Sequence, residues 1–133
     1  MQYSGVLIKT TDNKLLLQQR DHTFGIVNPG KLAIFGGSVE EDESFEDCAI
    51  REIREEVGLV VKNTQLKILG IYYDQIPNIG EVESYIFLVE DVDRAKLVLT
   101  EGESIFELDP SEDLTDLNLT TLCRHALTDF LKN

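Results

Sequence analysis

The stretch GGSVEEDESFEDCAIREIREEVGLVV, Gly36 to Val61, decides the reading of this chain. It is crowded with acid, and Glu52, Glu55 and Glu56 fall within five residues of one another. Ser44 followed by Asp47 has the spacing of a capping box, so a helix starts there. Ile50, Ile53 and Val57 recur at helical spacing, and Gly58 is a suitable stop. Residues at i, i+3 and i+4 share a helix face, so the three glutamates form one patch. Like charges so placed destabilise an isolated helix. The expected core stripe points roughly the other way, so packing does not account for them. Phe45 and Cys48 lie off that stripe, which predicts a helix buried on more than one side.

Three clustered carboxylates are hard oxygen donors, the ligands Mg²⁺ and Mn²⁺ prefer. The preceding Gly36-Gly37 allows close backbone approach to a ligand. Glu43 sits at the mouth of the helix, where a carboxylate complements the dipole. Arg51 adjoins the glutamates, and its fork can hold a carboxylate in fixed orientation. A charge run on a helix is ordinarily a solvated face. The complete spacing points elsewhere.

Working outward, Tyr3–Thr10 and Lys14–Arg20 read as strands joined by the turn Thr11-Asp12-Asn13, a hairpin. Residues 21–31 carry Gly25, Asn28, Pro29 and Gly30 and read as a long loop, the kind that carries function. Leu32–Phe35 is a short apolar strand leading into the glycine pair. Leu66–Tyr73 and Ser84–Val89 are rich in branched and aromatic residues and flank the turn Pro77-Asn78-Ile79-Gly80. Shorter strands are expected at Lys96–Leu99 and Ser104–Leu108, then an acidic loop over Asp109–Asp116. An amphipathic helix from Leu119 to Leu131 closes the chain. Mixed strands with one helix in the middle and one at the end give an α/β or α+β layer fold.

The 133 residues predict one domain, and the 42% hydrophobic content is that of a globular protein. A net charge of −13 speaks against an unaided grip on a nucleic acid polymer or an anionic membrane. It leaves small anionic substrates open, because a divalent cation reverses the local sign. Cys48 and Cys123 have no zinc spacing and read as reduced core residues of a cytoplasmic protein. No apolar run reaches membrane-spanning length, and the N-terminal residues lack the features of an export signal.

Gly37, five residues, Glu43, seven residues, Arg51-Glu52, Ile53, Arg54, Glu55-Glu56, Val57, Gly58 and Leu59 resemble the Nudix box, G-x5-E-x7-R-E-U-x-E-E-x-G-U with U aliphatic, at every position. Seven fixed residues match by chance about once in 10⁸ starting positions at average residue usage. The box covers residues 37–59, and the order of strands around it is also similar to that of the family. The resemblance implies a single Nudix domain over residues 1–133, an α/β/α sandwich around a mixed β-sheet. It implies hydrolysis of a nucleoside diphosphate linked to another group, with Mg²⁺ or Mn²⁺. By position, Glu52, Glu55 and Glu56 are the implied metal ligands, with the Gly36 carbonyl as a further one. Arg51 and Glu43 are implied to orient the carboxylates, and Glu40 matches a glutamate common in the family.

Outside the box, Glu101 resembles a late-loop glutamate that acts as ligand or base in MutT-like members; its ordinary reading is a turn residue before Gly102. Arg20 resembles a basic residue that meets substrate phosphate; its ordinary reading is an exposed strand end. Gly37 and Phe35 complete the expected substrate contacts. Where many relatives carry a tryptophan and FPGG, this chain has Leu32-Ala33-Ile34-Phe35-Gly36-Gly37, so the base pocket differs. Phe24, Phe35, Tyr72, Tyr73 and Tyr85 are the aromatics open to base stacking, and His22 could touch substrate. The favoured substrate is a nucleoside triphosphate, unmodified or oxidised, hydrolysed to the monophosphate and pyrophosphate. A nucleotide sugar or ADP-ribose is the alternative, as is a non-catalytic nucleotide sensor or an acidic interaction protein. The partner is a small nucleotide, and the chain is a monomer or homodimer.

Overall fold

Runs of apolar residues with no polar alternation belong to strands covered on both faces, and the first two strands are of this kind. The computed structural model describes residues 1–20, 30–99 and 104–132. Strand β1 (Gln2–Thr10) is followed by β2 (Leu15–Gln19), β3 (Leu32–Ala33), β4 (Phe35–Ser38), helix α1 (Phe45–Val57), β5 (Lys67–Ile76), β6 (Gly80–Val92), β7 (Ser104–Leu108) and helix α2 (Thr121–Lys132). The strands form one sheet in the order β3-β2-β1-β6-β5, with β4 also on β1 and β7 on β2. Strands β1 and β6 run parallel, with Val6 opposite Phe87, and the other pairs are antiparallel.

Side chains of β1 and β2 divide between two cores. Val6, Ile8 and Leu16 pack with Phe35, Ala49, Ile53 and Val57 on the α1 side. Leu7, Leu15 and Leu17 pack with Ile34, Cys123, Ala126 and Leu127 on the α2 side. The result is the layered α/β/α arrangement expected. Both cysteines are free and buried, and no helix among the described residues is long and apolar enough to cross a membrane. Ile53 is fully buried at the centre of the α1 contact. Ile53→Ala is expected to cost about 2–5 kcal/mol, measured as a lower urea midpoint at unchanged slope.

Three local expectations are corrected. The segment Leu32–Phe35 is not one strand. Leu32 and Ala33 pair with β2, while Phe35 to Ser38 pair with Val6 to Tyr3 of β1. Gly36 and Gly37 therefore lie within a strand. Lys96–Leu99 is not a strand either. Arg94–Lys96 is a 3₁₀ turn whose cap, Asp93, accepts from the Ala95 N–H. The Val98 N–H then donates to Val57 O at 2.8 Å, so this segment closes the end of α1. Finally, the buried stripe of α1 is Cys48, Ala49, Ile53 and Val57, with Ile50 only partly covered. That stripe lies beside the glutamates and does not oppose them.

The turn expectations hold. Asn78 and Gly80 both take positive φ between β5 and β6. Gly58 caps α1 in the left-handed conformation, its N–H donating to Arg54 O, and Ser44 Oγ accepts from the Asp47 N–H at 3.0 Å at the other end. Buried Ser4 on β1 donates to Phe45 O at 2.6 Å, fixing the start of α1 over the β1–β4 pair.

Candidate active site

Helix α1 lies along β4, and this contact sets the position of every acid in the motif. The Glu52 carboxylate rests on Gly37: a Cβ added there would fall inside the carboxylate itself. A Cβ on Gly36 would collide with the backbone oxygen of Ser4. Gly36 is therefore required by the neighbouring strand, while Gly37 leaves the room that the Glu52 carboxylate occupies. Glu56 accepts from the Gly36 N–H at 3.1 Å. Glu52 and Glu56 are thus held at the seam between helix and sheet, while Glu55 is more exposed.

Arg51 is the hub. Its Nε and Nη2 donate to the two oxygens of Glu43 at 2.7 and 3.0 Å. Its Nη1 donates to Glu52 Oε1 at 2.8 Å and reaches Glu55 Oε2 at 3.4 Å. Nη2 also meets Ser38 O at 3.2 Å, and Glu40 lies 3.6 Å from Nη1. Glu43 in turn accepts from the Glu40 N–H at 3.0 Å. The hydrogen bonds from Arg51 hold the Glu43 carboxyl at about 2, far below its usual value. Burial raises that of Glu52, against the pull of Arg51 and with the push of Glu55 and Glu43.

One guanidinium thus faces four carboxylates, with Glu56 close by. The excess negative charge and the all-oxygen donor set fit a hard divalent cation. In the conformation described, Glu52 and Glu55 turn to Arg51 and Glu56 to the Gly36 amide. Among the described residues no three acidic, histidine or cysteine side chains are already gathered as a ligand cluster.

On the other side of β4 lies a cavity of about 510 Å³. Its wall includes Gly36, Gly37 and Ser38, residues from the β5–β6 hairpin, and Thr120 to Leu122 at the start of α2. Arg20 and Lys31 also line it. Arg20 Nη1 donates to Gln18 Oε1 at 3.3 Å, while its buried Nε has no hydrogen-bond partner among the described residues. Tyr3 reaches this wall too, its hydroxyl donating to Ile34 O at 3.3 Å. Burial, with Glu56 and Glu52 adding to it, pushes the Tyr3 phenol far above its ordinary value.

The structure brings together Glu43, Arg51, Glu52, Glu55, Glu56, Gly36 and Gly37, and places Glu40 at their edge. It separates Phe35 from the expected substrate set. That side chain is fully buried against α1, because β4 turns it inward between Val6 and Ala49, and it does not line the cavity. Tyr85 is occupied by a stack on Phe45, and Tyr72 by a hydrogen bond to Asp129. Glu101, His22 and Phe24 lie outside the described residues. Tyr3, Lys31 and the Ser38 carbonyl carried no signal in the sequence, because the strand pairing that delivers them is long-range.

A sequence profile described as NUDIX domain matches residues 2–126. The chain belongs to the Nudix hydrolase family. Over 83 residues this Nudix chain is 41% identical to an ADP-ribose pyrophosphatase of Methanocaldococcus jannaschii, a match covering 59% of this chain and 44% of the relative. The match therefore spans less than half of that relative's length. The fold is shared with a MutT protein of Methanosarcina mazei Go1, at TM-score 0.83 and 22% identity over 99% of this chain and 93% of that one. It is shared also with a MutT NUDIX hydrolase of Burkholderia pseudomallei, at TM-score 0.80 and 21% identity over 96% and 95% of the two chains.

Proposed function

We propose that this chain hydrolyses the diphosphate linkage of a nucleoside diphosphate joined to another group, using Mg²⁺ or Mn²⁺. The favoured substrate is a nucleoside triphosphate, unmodified or oxidised, giving the monophosphate and pyrophosphate. The observation that carries this reading is the shared wall. Gly36 and Gly37 touch the carboxylate patch on one side and the 510 Å³ cavity on the other. A diphosphate at that wall has metal-type ligands on one flank and room for its organic group on the other.

Glu52, Glu55, Glu56 and the Gly36 carbonyl are assigned to the metal. A bound Mg²⁺ or Mn²⁺ supplies charge neutralisation at phosphate oxygens and acidifies water. Arg51 and Glu43 hold Glu52 and Glu55 in place. One of Glu52, Glu55, Glu56 or Glu101 takes the proton of the attacking water. The water oxygen bonds to phosphorus, the bridging P–O bond breaks, and the leaving phosphate departs with the electron pair. Arg20 and Lys31 bind substrate oxygens, with Gly37 allowing close approach. Positioning and electrostatics supply most of the rate enhancement in phosphoryl chemistry of this type.

A second reading, a nucleotide-sugar or ADP-ribose pyrophosphatase, is favoured by the 41% identity to the archaeal relative of that name. A sensor without catalysis is disfavoured, because every box glutamate is present. The buried free cysteines support a cytoplasmic setting.

The test is phosphate or pyrophosphate release across nucleoside triphosphates, oxidised nucleotides, nucleotide sugars, ADP-ribose and dinucleoside polyphosphates, with and without Mg²⁺. A metal-dependent preferred substrate is expected. Metal-independent turnover, or none in protein that binds metal, would overturn the reading. Saturating Mg²⁺ is also expected to raise Tm by several degrees, as ligands of the native state do, and Glu56→Gln to reduce that rise.

A further inference from the structure

The cavity is lined with opposite charges at its two ends, in a chain whose net charge is −13. Arg20 and Lys31 lie at the β2–β3 end, and Asp74 lies on β5. Three interstrand steps, β2-β1-β6-β5, separate the ends. The cavity between them, about 510 Å³, is of the size that takes a small-molecule ligand. Asp74 is the one acid among the described residues of the wall. Its side chain is only 15% exposed. His125 Nε2 meets Oδ1 at 3.3 Å, and no other donor among the described residues reaches the carboxylate. The carboxylate lines the cavity and keeps acceptor capacity that a ligand donor can fill.

We infer that Asp74 is a specificity-determining residue: it accepts a hydrogen bond from a donor group on the end of the ligand remote from the diphosphate. The donor is a base amino group or a sugar hydroxyl. A second anionic group at that end is rejected by the carboxylate, and a donorless end forgoes the bond. His125 holds the carboxylate from the outer side and stacks near Tyr72, whose hydroxyl is bound to Asp129. The assignment rests on the hydrolase reading for what the other end of the ligand does, but its test reads binding alone.

Calorimetry on the full chain compares three pairs of probes: adenosine 5′-monophosphate and its analogue without the 6-amino group, guanosine and inosine 5′-monophosphates, and ribose and 2-deoxyribose 5-phosphates. The donor-bearing member of at least one pair is expected to bind about tenfold tighter, the range of a hydrogen bond to a charged group. The pair that shows the preference identifies the donor. Asp74→Leu is expected to bring that ratio to about one, and Asp74→Asn, the milder change should the first not fold, to lower it several-fold.

A wild-type ratio near one in all three pairs, or a ratio untouched in the Asp74 variants, would overturn the assignment. Failure of the two readings is distinguishable. A ratio that depends on Asp74 without turnover defeats only the hydrolase reading. Metal-dependent turnover with a ratio indifferent to Asp74 defeats only this inference.

Discussion

Glu56→Gln is expected to lower kcat by about 10²–10⁴-fold while the protein stays folded, and Glu55→Gln to do the same. The two variants test different surroundings. Glu56 accepts from the Gly36 N–H, and the amide oxygen of glutamine can accept that same bond. Glu55 is more than half exposed, so glutamine there disturbs little packing. Glutamine keeps the size and shape of each side chain, so a large fall in rate in folded protein reports lost charge rather than lost bulk. Circular dichroism and Tm, expected within a few degrees of wild type, establish folding; steady-state kinetics at saturating Mg²⁺ measure kcat. Near-wild-type turnover in either variant would refute the assignment of that glutamate to the metal or to the proton.

The acid patch was legible in the sequence because its geometry is local. Helical spacing alone groups Glu52, Glu55 and Glu56, and motif spacing adds Glu43 and Arg51. What could not be read was the face on which the patch lies. Ile50 looks like a core residue by periodicity, yet Cys48 and Ala49 take the buried positions, because small side chains allow α1 to approach β1 and β4. That rotation moves Glu52 and Glu56 to the seam with Gly36 and Gly37. Phe35 fails for a related reason. A strand residue beside a glycine pair has two faces open to it, and only the pairing of β4 with β1 decides that its ring points to the core. Asp74, Tyr3 and Lys31 line one cavity from segments distant in sequence, where periodicity gives no guidance. The strand expected at Lys96–Leu99 had the right apolar residues, but Leu97 and Leu99 pack against the α1-side core from a turn.

Arg51→Met is expected to destabilise the fold by about 3 kcal/mol at neutral pH, the lower end for breaking a largely buried ion pair, and to remove activity as well. The side chains of Arg51, Glu43 and Glu52 are 19%, 13% and 16% exposed, so water compensates little for the lost guanidinium. The sign of the pH dependence distinguishes this cause from lost packing. In the wild type the Glu43 carboxyl is held at about 2 in the folded state, below its unfolded value. Its contribution to stability is complete above the unfolded value, near 4.3, and is lost as pH falls toward 2. Arg51→Met takes away the cause of that depression and leaves Glu43 and Glu52 close together and unpaired. Both then favour the protonated form. The stability difference between wild type and variant should therefore be largest near pH 7 and shrink as pH falls below about 4. Arg51→Lys restores the charge but not the fork that spans both Glu43 oxygens, and is expected to recover part of the stability and little of the rate. Urea unfolding at intervals from pH 3 to pH 7 reads the trend; a difference independent of pH would assign Arg51 to packing and not to holding the carboxylates.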